Sequence, residues 1–374
     1  MDYLNDFIVL GRQVQSEPGF IVGPIAWIFG TILSFLFDVV YWMTPNNSLG
    51  FAIILLTIVA NFIMLPLTLK SQRSMMRMQA LNPEIEKIKA KYGNKNDAET
   101  KQKISQETQA LWAKHKVNPL GSCLPMLVQM PLFFGLLFIM NNSYLYIREL
   151  NNLYYDLSVA IQGVPGYLDV VRPLAMPFIP PRWIENGYTL NALHTGLVNG
   201  GMAPDLALTA ALNQLDTTNV IVLSLPDHLS RVLDRFVAED WAALFAGLPN
   251  AHLPPIEALF NRKQEIEVFF GLPLKEVSGW FPPGVIIPIL AVITTFLQSW
   301  LMQQVNKPKD DRMKLQQTIM LTVMPFFMGF VTISFAAGVG VYWITMNMFR
   351  IVQQLIMNKK SGIPFRIPFK KYDD

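Results

Sequence analysis

The 374-residue chain contains one cysteine, Cys123, so no disulfide can close within it. Its four histidines, His115, His194, His228 and His252, are scattered, and none falls in a long apolar run. No metal-ligand spacing, phosphate loop or nucleophile-base grouping stands beside them. Charge is scarce, at 15% of residues, and five stretches centred near residues 59, 130, 294, 325 and 345 have none at all. Ion-coupled transporters and proton pumps place an ionisable group inside the membrane. Its absence argues against both, and no inverted repeat suggests otherwise. No enzyme, cofactor, metal site or small-molecule substrate is expected.

What the chain does have is apolar length. Hydrophobic residues make up 52% of it, with a mean hydropathy of +0.31, above the usual range of a soluble domain. A bilayer core needs ~20 apolar residues in a helix, because irregular backbone cannot face lipid unpaired. The approximate spans 49–69, 119–141, 284–305, 317–334 and 335–349, the last running on toward 357, meet that need. The fold class is therefore an all-α polytopic membrane protein.

Orientation follows from where the bases lie, since Lys and Arg beside span ends mark the cytoplasmic side. Residues 70–118 hold eleven bases against five acids, and the 306–316 loop adds Lys307, Lys309, Arg312 and Lys314. The tail, counted from Arg350, adds Lys359, Lys360, Arg366, Lys370 and Lys371. Residues 143–283 carry eight bases and fourteen acids. The first two regions and the C-terminus belong inside and 143–283 outside, so five spans alternate without conflict.

The expected organisation is an N-terminal segment 1–48, two core spans within 49–142 flanking a cytoplasmic segment 70–118, an extracytoplasmic insertion 143–283, three spans within 284–358 and a basic tail 359–374. Residues 20–37 leave two readings open. They are nearly long enough to cross but contain Gly23, Pro24 and Gly30 and stop at Asp38. Either a helix lies in the outer interface or a sixth span crosses with the N-terminus inside. The basic flank of a secretory signal is missing, since Arg12 is the one base before it. The insertion alternates Leu/Ala-rich patches, Leu206 to Leu215 and Trp241 to Leu248, with breaks at Pro177 to Pro181 and Pro254-Pro255. It reads as a small helical domain serving as a lid, a receptor for a translocon subunit or a passive insertion. Asn46-Asn47-Ser48 and Asn141-Asn142-Ser143 match the glycosylation sequon, a motif too short to argue from.

In the basic segment, Met75, Met78, Leu81, Ile85 and Ile88 recur at helical spacing before Tyr92-Gly93-Asn94. A second helix follows from about Asp97 to Lys116, with the sparse apolar stripe Ile104, Thr108, Leu111 and Trp112. This predicts a thinly packed helical hairpin in the cytosol. Its bases Lys70, Arg73, Arg77, Lys87, Lys89 and Lys91 suit anionic lipid headgroups or docking to a ribosome or targeting factor. Met75, Met76 and Met78 serve either packing or an adaptable apolar surface.

Each span also carries uncharged polar groups. Thr57, Asn61 and Thr68 share one helical stripe, with Asn61 ~13 Å of rise from Lys70. Other spans add Gln129, Thr294, Thr295, Gln298, Ser299, Thr318, Thr322, Tyr342, Thr345 and Asn347. Serines and threonines commonly bond neighbouring helices or their own backbone, for ~1 kcal/mol each. The amides Asn61, Gln129 and Gln298 are costlier to bury, and either interhelical packing or a hydrated groove accounts for them.

These residues carry a resemblance. The run from Leu56 through Thr57, Asn61, Leu65-Pro66-Leu67 and Thr68, then Ser74-Met75 and Leu81-Asn82-Pro83-Glu84-Ile85, resembles the YidC-type membrane protein insertases, the family that includes the mitochondrial Oxa and chloroplast Albino proteins. Val117-Asn118-Pro119-Leu120-Gly121, Cys123-Leu124-Pro125, Gln129-Met130-Pro131 and the block Phe335 to Asn347, with Ala337-Gly338 and Tyr342-Trp343-Ile344, are similar to later blocks of that family. The resemblance implies a five-helix transmembrane core around a hydrophilic groove open to cytoplasm and lipid. It implies nascent membrane proteins as clients, with the ribosome, the Sec translocon or targeting factors, and anionic lipids as partners. Residue by residue, the groove falls on Asn61 and Thr57, with Gln129, Gln298 and Thr345 as further polar positions. The greasy slide for the client falls on Met130, Phe133, Phe134, Tyr342 and Trp343. Two features depart from the family's pattern. A basic residue is usual where this chain has Asn61, and the 143–283 insertion is longer than the resemblance requires. An assembly chaperone that holds subunits inserted by another machine is the alternative reading. A polar-solute channel is a third, opposed by the concentration of polar positions in the inner half and middle.

Overall fold

The computed structural model describes residues 22–93, 97–115, 124–178, 223, 226–279, 283–303, 315 and 317–360. Most of the Val117 to Pro125 motif, the Leu206 to Leu215 patch, the 306–314 loop, the tail beyond 360 and the side chains of Met75 and Met76 lie outside the described residues. The described residues are almost entirely helical. It divides into two compact units, one of residues 1–52 with 138–276 and the other of residues 53–137 with 277–374.

The first unit begins with α1, Val22–Met43, whose buried residues Ala26, Gly30, Leu33, Phe37 and Val40 recur every three or four positions along one face. This helix is long and apolar enough to cross a membrane. It runs past Asp38, where the apolar run ends in sequence, because that side chain lies on the exposed face and does not interrupt the packed one. Gly30 is required: a Cβ there would lie 2.1 Å from the Tyr146 ring. A short corner leads to α2, Ser48–Ala80, which belongs to this unit through residue 52. The corner residue Asn47 adopts φ 62°, which asparagine tolerates better than most residues. Its amide N–H donates to Glu265 O at 2.7 Å, and its Oδ1 accepts from Phe270 N at 2.7 Å.

The remainder of this unit comes after α5, Leu124–Asn141. It comprises α6 (Ser143–Tyr146), α7 (Arg148–Gln162), α8 (Tyr167–Ala175), α9 (Pro226–Leu233), α10 (Ala238–Gly247) and α11 (Leu253–Glu267). On α7, Leu150, Leu153, Tyr154, Leu157, Ser158 and Ile161 are buried, an amphipathic stripe that packs against α9 and α11. Ser158 and Ser230 share a hydrogen bond of 2.9 Å across α7 and α9. Aromatic rings fill the space beside them, with Trp241 and Phe260 4.9 Å apart. A two-stranded antiparallel hairpin, β1 (Val268–Phe269) and β2 (Leu272–Pro273), turns through Phe270 and Gly271, both at positive φ. Phe269 sits so close to Gly50 that a Cβ there would meet its ring at 2.1 Å.

An ionic cluster lies at the centre of this unit. The Lys263 ammonium lies 3.1 Å from Glu267 and over the Trp241 ring at 5.3 Å, while Lys275 pairs with Asp234 and lies 3.6 Å from Glu267. The Tyr154 hydroxyl donates to Glu267 at 3.0 Å, and burial beside that carboxylate pushes Tyr154 well above the ordinary tyrosine range. Nearby, Arg235 donates to Asn142 Oδ1 at 2.7 Å, and burial pulls its guanidinium down to about 10.

The second unit holds α2 from residue 53, α3 (Asn82–Tyr92), α4 (Ala98–Lys114), α5 through residue 137, α12 (Ile286–Gln303), a π turn (Ile319–Val323), α13 (Met324–Ile333) and α14 (Ala337–Lys360). Within α2, Ser48–Ser74 is long and apolar enough to cross a membrane, as is α12. The stretches Val128–Asn141 and Ile319–Ile333 are apolar but shorter. Helix α14 continues through residues 350–360, where Arg350, Gln353, Gln354 and Asn358 make it more polar than a simple span. Helix α12 packs on both α13 and α14. Glycines permit the approach: a Cβ on Gly329 would lie 2.4 Å from Val292, and one on Gly340 would lie 2.1 Å from Ile287.

Helices α3 and α4 pair antiparallel. Lys91 and Tyr92 both bond Glu107, at 2.7 and 2.6 Å, and His115 lies 3.7 Å from Glu84 at the other end. Asp97 caps α4 by accepting from Thr100 N at 2.9 Å, and Gly93 at φ 63° ends α3. The apolar contact is thin: α3 buries none of its residues, and α4 buries Thr100 and Thr108.

Candidate functional site

Helix α14 is the polar spine of the second unit. Tyr342, Asn347, Arg350, Gln353, Gln354 and Asn358 lie on two adjacent stripes of it, and each bonds a neighbouring helix or the next polar residue along. Toward α12, the buried Asn347 amide donates to Thr294 at 3.1 Å and Thr295 at 2.9 Å, and Trp343 Nε1 donates to Thr295 at 3.2 Å. Toward α2, Gln353 donates to Thr68 at 3.4 Å and Gln72 at 3.1 Å. Gln72 in turn donates to Gln354 at 3.4 Å. Toward α5, Gln129 donates to the Tyr342 hydroxyl at 2.7 Å and accepts from Arg350 Nη2 at 2.9 Å. Buried amides need such partners, since apolar surroundings offer none.

The polar positions expected along the spans divide into two kinds. Thr57 is fully buried with its hydroxyl on Ile53 O at 2.7 Å, and the half-buried Asn61 donates to Thr57 O at 2.8 Å. Thr345 bonds Val341 O at 2.8 Å, and Gln298 lies 4.0 Å from Met302 Sδ. These side chains bond within their own helix. Gln129, Thr295, Tyr342 and Asn347 join different helices, and Thr294 does both, donating to Leu290 O at 2.8 Å while accepting from Asn347.

The apolar positions gather around Phe133. Its ring meets those of Phe134 at 5.8 Å, Trp343 at 6.1 Å and Phe335 at 6.4 Å, edge to face. Met130 and Phe134 are exposed, Phe133 and Trp343 half-buried, and Tyr342 buried. The exposed apolar surface continues on α2 with Phe62 and Ile63, and on α13 with Phe326, Phe327 and Phe330.

Of the basic positions, Lys70, Arg73, Arg77, Lys87 and Lys91 are exposed and Lys89 is half-buried. Lys91 is engaged by Glu107, and that bond lowers the Glu107 pKa and raises that of Lys91.

Arg350, counted in sequence with the bases near the C-terminus although the last span runs on toward 357, lies well inside α14, which continues ten residues further to Lys360. The last of the expected charge-free spans therefore leads without a break into a cation held by its neighbours. The signal was available: no helix breaker separates Tyr342 from Lys360, and Arg350 stands eight residues after Tyr342 and three before Gln353, on the same stripe.

Among the described residues, no group of three or more His, Cys, Asp or Glu is placed to hold a metal ion.

Comparison with known proteins bears on this arrangement. The model of the family described as 60Kd inner membrane protein matches residues 40–177 and 241–363. Among similar proteins, a membrane protein insertase YidC of an Anaeromyxobacter species is 39% identical over 160 residues, which is 42% of this chain and 27% of the relative. The membrane protein insertase MisCA of Bacillus subtilis is 45% identical over 130 residues, 34% of this chain and 49% of the relative. A YidC insertase of Oceanobacillus iheyensis is 24% identical over 340 residues, 90% of this chain and 82% of the relative. The chain thus spans just over a quarter of the length of the Anaeromyxobacter relatives that it matches.

Proposed function

The chain belongs to the 60Kd inner membrane protein family, and on that premise we propose that it is a membrane protein insertase that eases newly made membrane proteins into the bilayer from the cytoplasmic side. The reading takes α2, α5, α12, α13 and α14 as a five-helix core, with α3 and α4 as a cytoplasmic hairpin and residues 143–283 as an extracytoplasmic helical insertion. The C-terminus lies in the cytoplasm of a bacterial cell.

The observation that carries this reading is the polar seam of α14, a line of hydrogen-bonding side chains from Tyr342 to Asn358 set among apolar helices. Such a seam lets a client's polar tail find partners part-way across the hydrocarbon, where it otherwise finds none. The client's apolar segment moves past Met130, Phe134 and neighbouring greasy side chains into lipid. Its own transfer, ~0.3–0.6 kcal/mol for each central Leu, Ile, Phe or Val, drives the step. No nucleotide hydrolysis is needed. Ribosomes, targeting factors and anionic lipids are the partners that the bases of residues 70–91 suit by charge.

The test is photocrosslinking from positions 61 and 130 to a stalled ribosome-nascent chain bearing a single-span client. Crosslinks from both positions support a groove beside a slide. Crosslinks from 130 alone remove Asn61 from the client's path, and crosslinks only to chains already released from ribosomes favour an assembly chaperone.

A further inference from the structure

We propose that Arg350 is a specificity-determining residue that receives the carboxylate of an acidic side chain in the passing client. The proposal rests on the insertase reading above. Arg350 lies thirteen residues from the start of α14 and ten from its end, ~20 Å and ~15 Å of helix rise.

Its hydrogen-bonding partner is neutral. Arginine donates and never accepts, so the Gln129 atom 2.9 Å from Nη2 is the carbonyl oxygen. The Gln129 amide nitrogen is thereby turned to the Tyr342 hydroxyl at 2.7 Å. Each side chain fixes the next, and the guanidinium is oriented without being neutralised. Among the described residues, no carboxylate lies within the 4.0 Å of an ion pair with it. A guanidinium carries five N–H donors, and among the described residues one of its nitrogens is taken, by Gln129.

Neighbouring contacts fix its height. Phe349 meets Phe62 ring to ring at 5.1 Å, and Gln353 bonds Thr68 and Gln72. Arg350 is therefore level with the stretch of α2 that begins beside Asn61, and it supplies a cation at a depth where α2 offers a neutral amide. The side chain is only half-buried, so an incoming group can reach it. Attraction between opposite charges grows as the surroundings lose dielectric, and the planar fork matches a carboxylate with two parallel bonds. A built-in ion pair would have consumed that charge; a neutral glutamine leaves it available.

The experiment uses the full chain reconstituted in liposomes, with single-span clients that differ only in paired aspartates or paired asparagines in the translocated tail. The readout is the ratio of acidic-tail to neutral-tail insertion. Arg350→Gln is expected to lower the ratio by about tenfold, the span of one charge-assisted hydrogen bond, and Arg350→Lys to keep most of it. Gln129→Glu sets a carboxylate against the guanidinium while preserving the contact. It is expected to lower the ratio as Arg350→Gln does, so the test survives if Arg350→Gln folds poorly. An unchanged ratio in Arg350→Gln or in Gln129→Glu overturns the role of Arg350 while leaving the insertase reading intact. If the unaltered chain inserts neither tail better than empty liposomes, the insertase reading itself fails, and the proposal with it.

Discussion

Gln129 donates to the hydroxyl of Tyr342 across 2.7 Å and so joins α5 to α14 through an uncharged bond. Tyr342→Phe removes the acceptor and leaves the Gln129 amide unpaired in apolar surroundings. The expected loss is ~1 kcal/mol of stability, read as an earlier unfolding midpoint in detergent micelles. A midpoint equal to that of the unaltered chain would show that water or detergent replaces the hydroxyl.

Asn347 holds α14 to α12 with bonds to both Thr294 and Thr295. Asn347→Leu keeps the bulk and removes both bonds, for an expected loss of ~1–2 kcal/mol. The same substitution in a chain carrying Thr294→Val and Thr295→Val should cost much less, because the two bonds that Asn347 makes are then already absent. A double-mutant cycle in micelles measures the difference.

Gly340 gives α14 its closest approach to α12, opposite Ile287. Gly340→Ala drives a methyl into the Ile287 side chain and should cost ~1–3 kcal/mol through overpacking. Ile287→Ala in the same chain removes the opposing methyl and should recover part of that loss. If the pair is no more stable than Gly340→Ala alone, steric conflict is the wrong account.

Glu267 takes a bond from Tyr154 and faces both Lys263 and Lys275. Glu267→Ala strands the Lys263 ammonium in the interior of the first unit and leaves Lys275 with Asp234 alone, at an expected cost of ~3–5 kcal/mol. Adding Lys263→Met should return part of it. Chemical denaturation monitored by Trp241 fluorescence distinguishes these cases, since that ring lies beneath the Lys263 ammonium.

The α3–α4 pairing should depend on pH at both extremes. Glu107 has its pKa lowered by Lys91 and Tyr92, so its contribution is present above the ordinary carboxylate range and lost as pH falls through the lowered value. Lys91 has its pKa raised by Glu107, so its contribution is present below the ordinary lysine range and lost as pH rises through the raised value. Amide protection in α3 and α4, taken relative to the intrinsic exchange rate at each pH, should therefore be greatest between about pH 5 and pH 10. In Glu107→Gln the acid limb should shrink to the share of Asp97, whose pKa is lowered by the bond it accepts from Thr100 N, and an undiminished limb would remove Glu107 from the account.

Much of the architecture is already present in the one-dimensional pattern. Apolar runs such as 49–69 and 286–303 become helices because backbone polar groups in apolar surroundings must bond within their own segment. The hairpin follows from Asp97 as a cap, Gly93 as a break and the spacing of Ile85 and Ile88. What the residue types could not decide is which partner each polar group takes. Thr57 and Thr345 turn to their own backbones, Thr295 and Asn347 find one another across helices, and Thr294 does both. Both outcomes satisfy a hydroxyl equally well, so only the packing of α12 on α14 separates them. Arg350 shows the same limit for charge. By composition it is one more base near a cytoplasmic end, and the tertiary structure makes it an oriented internal cation by bringing Gln129 of a different helix within 2.9 Å. Periodicity is local and can be read along the chain, whereas the neighbour that turns a side chain into a site comes from a distant segment and is set only when the helices pack.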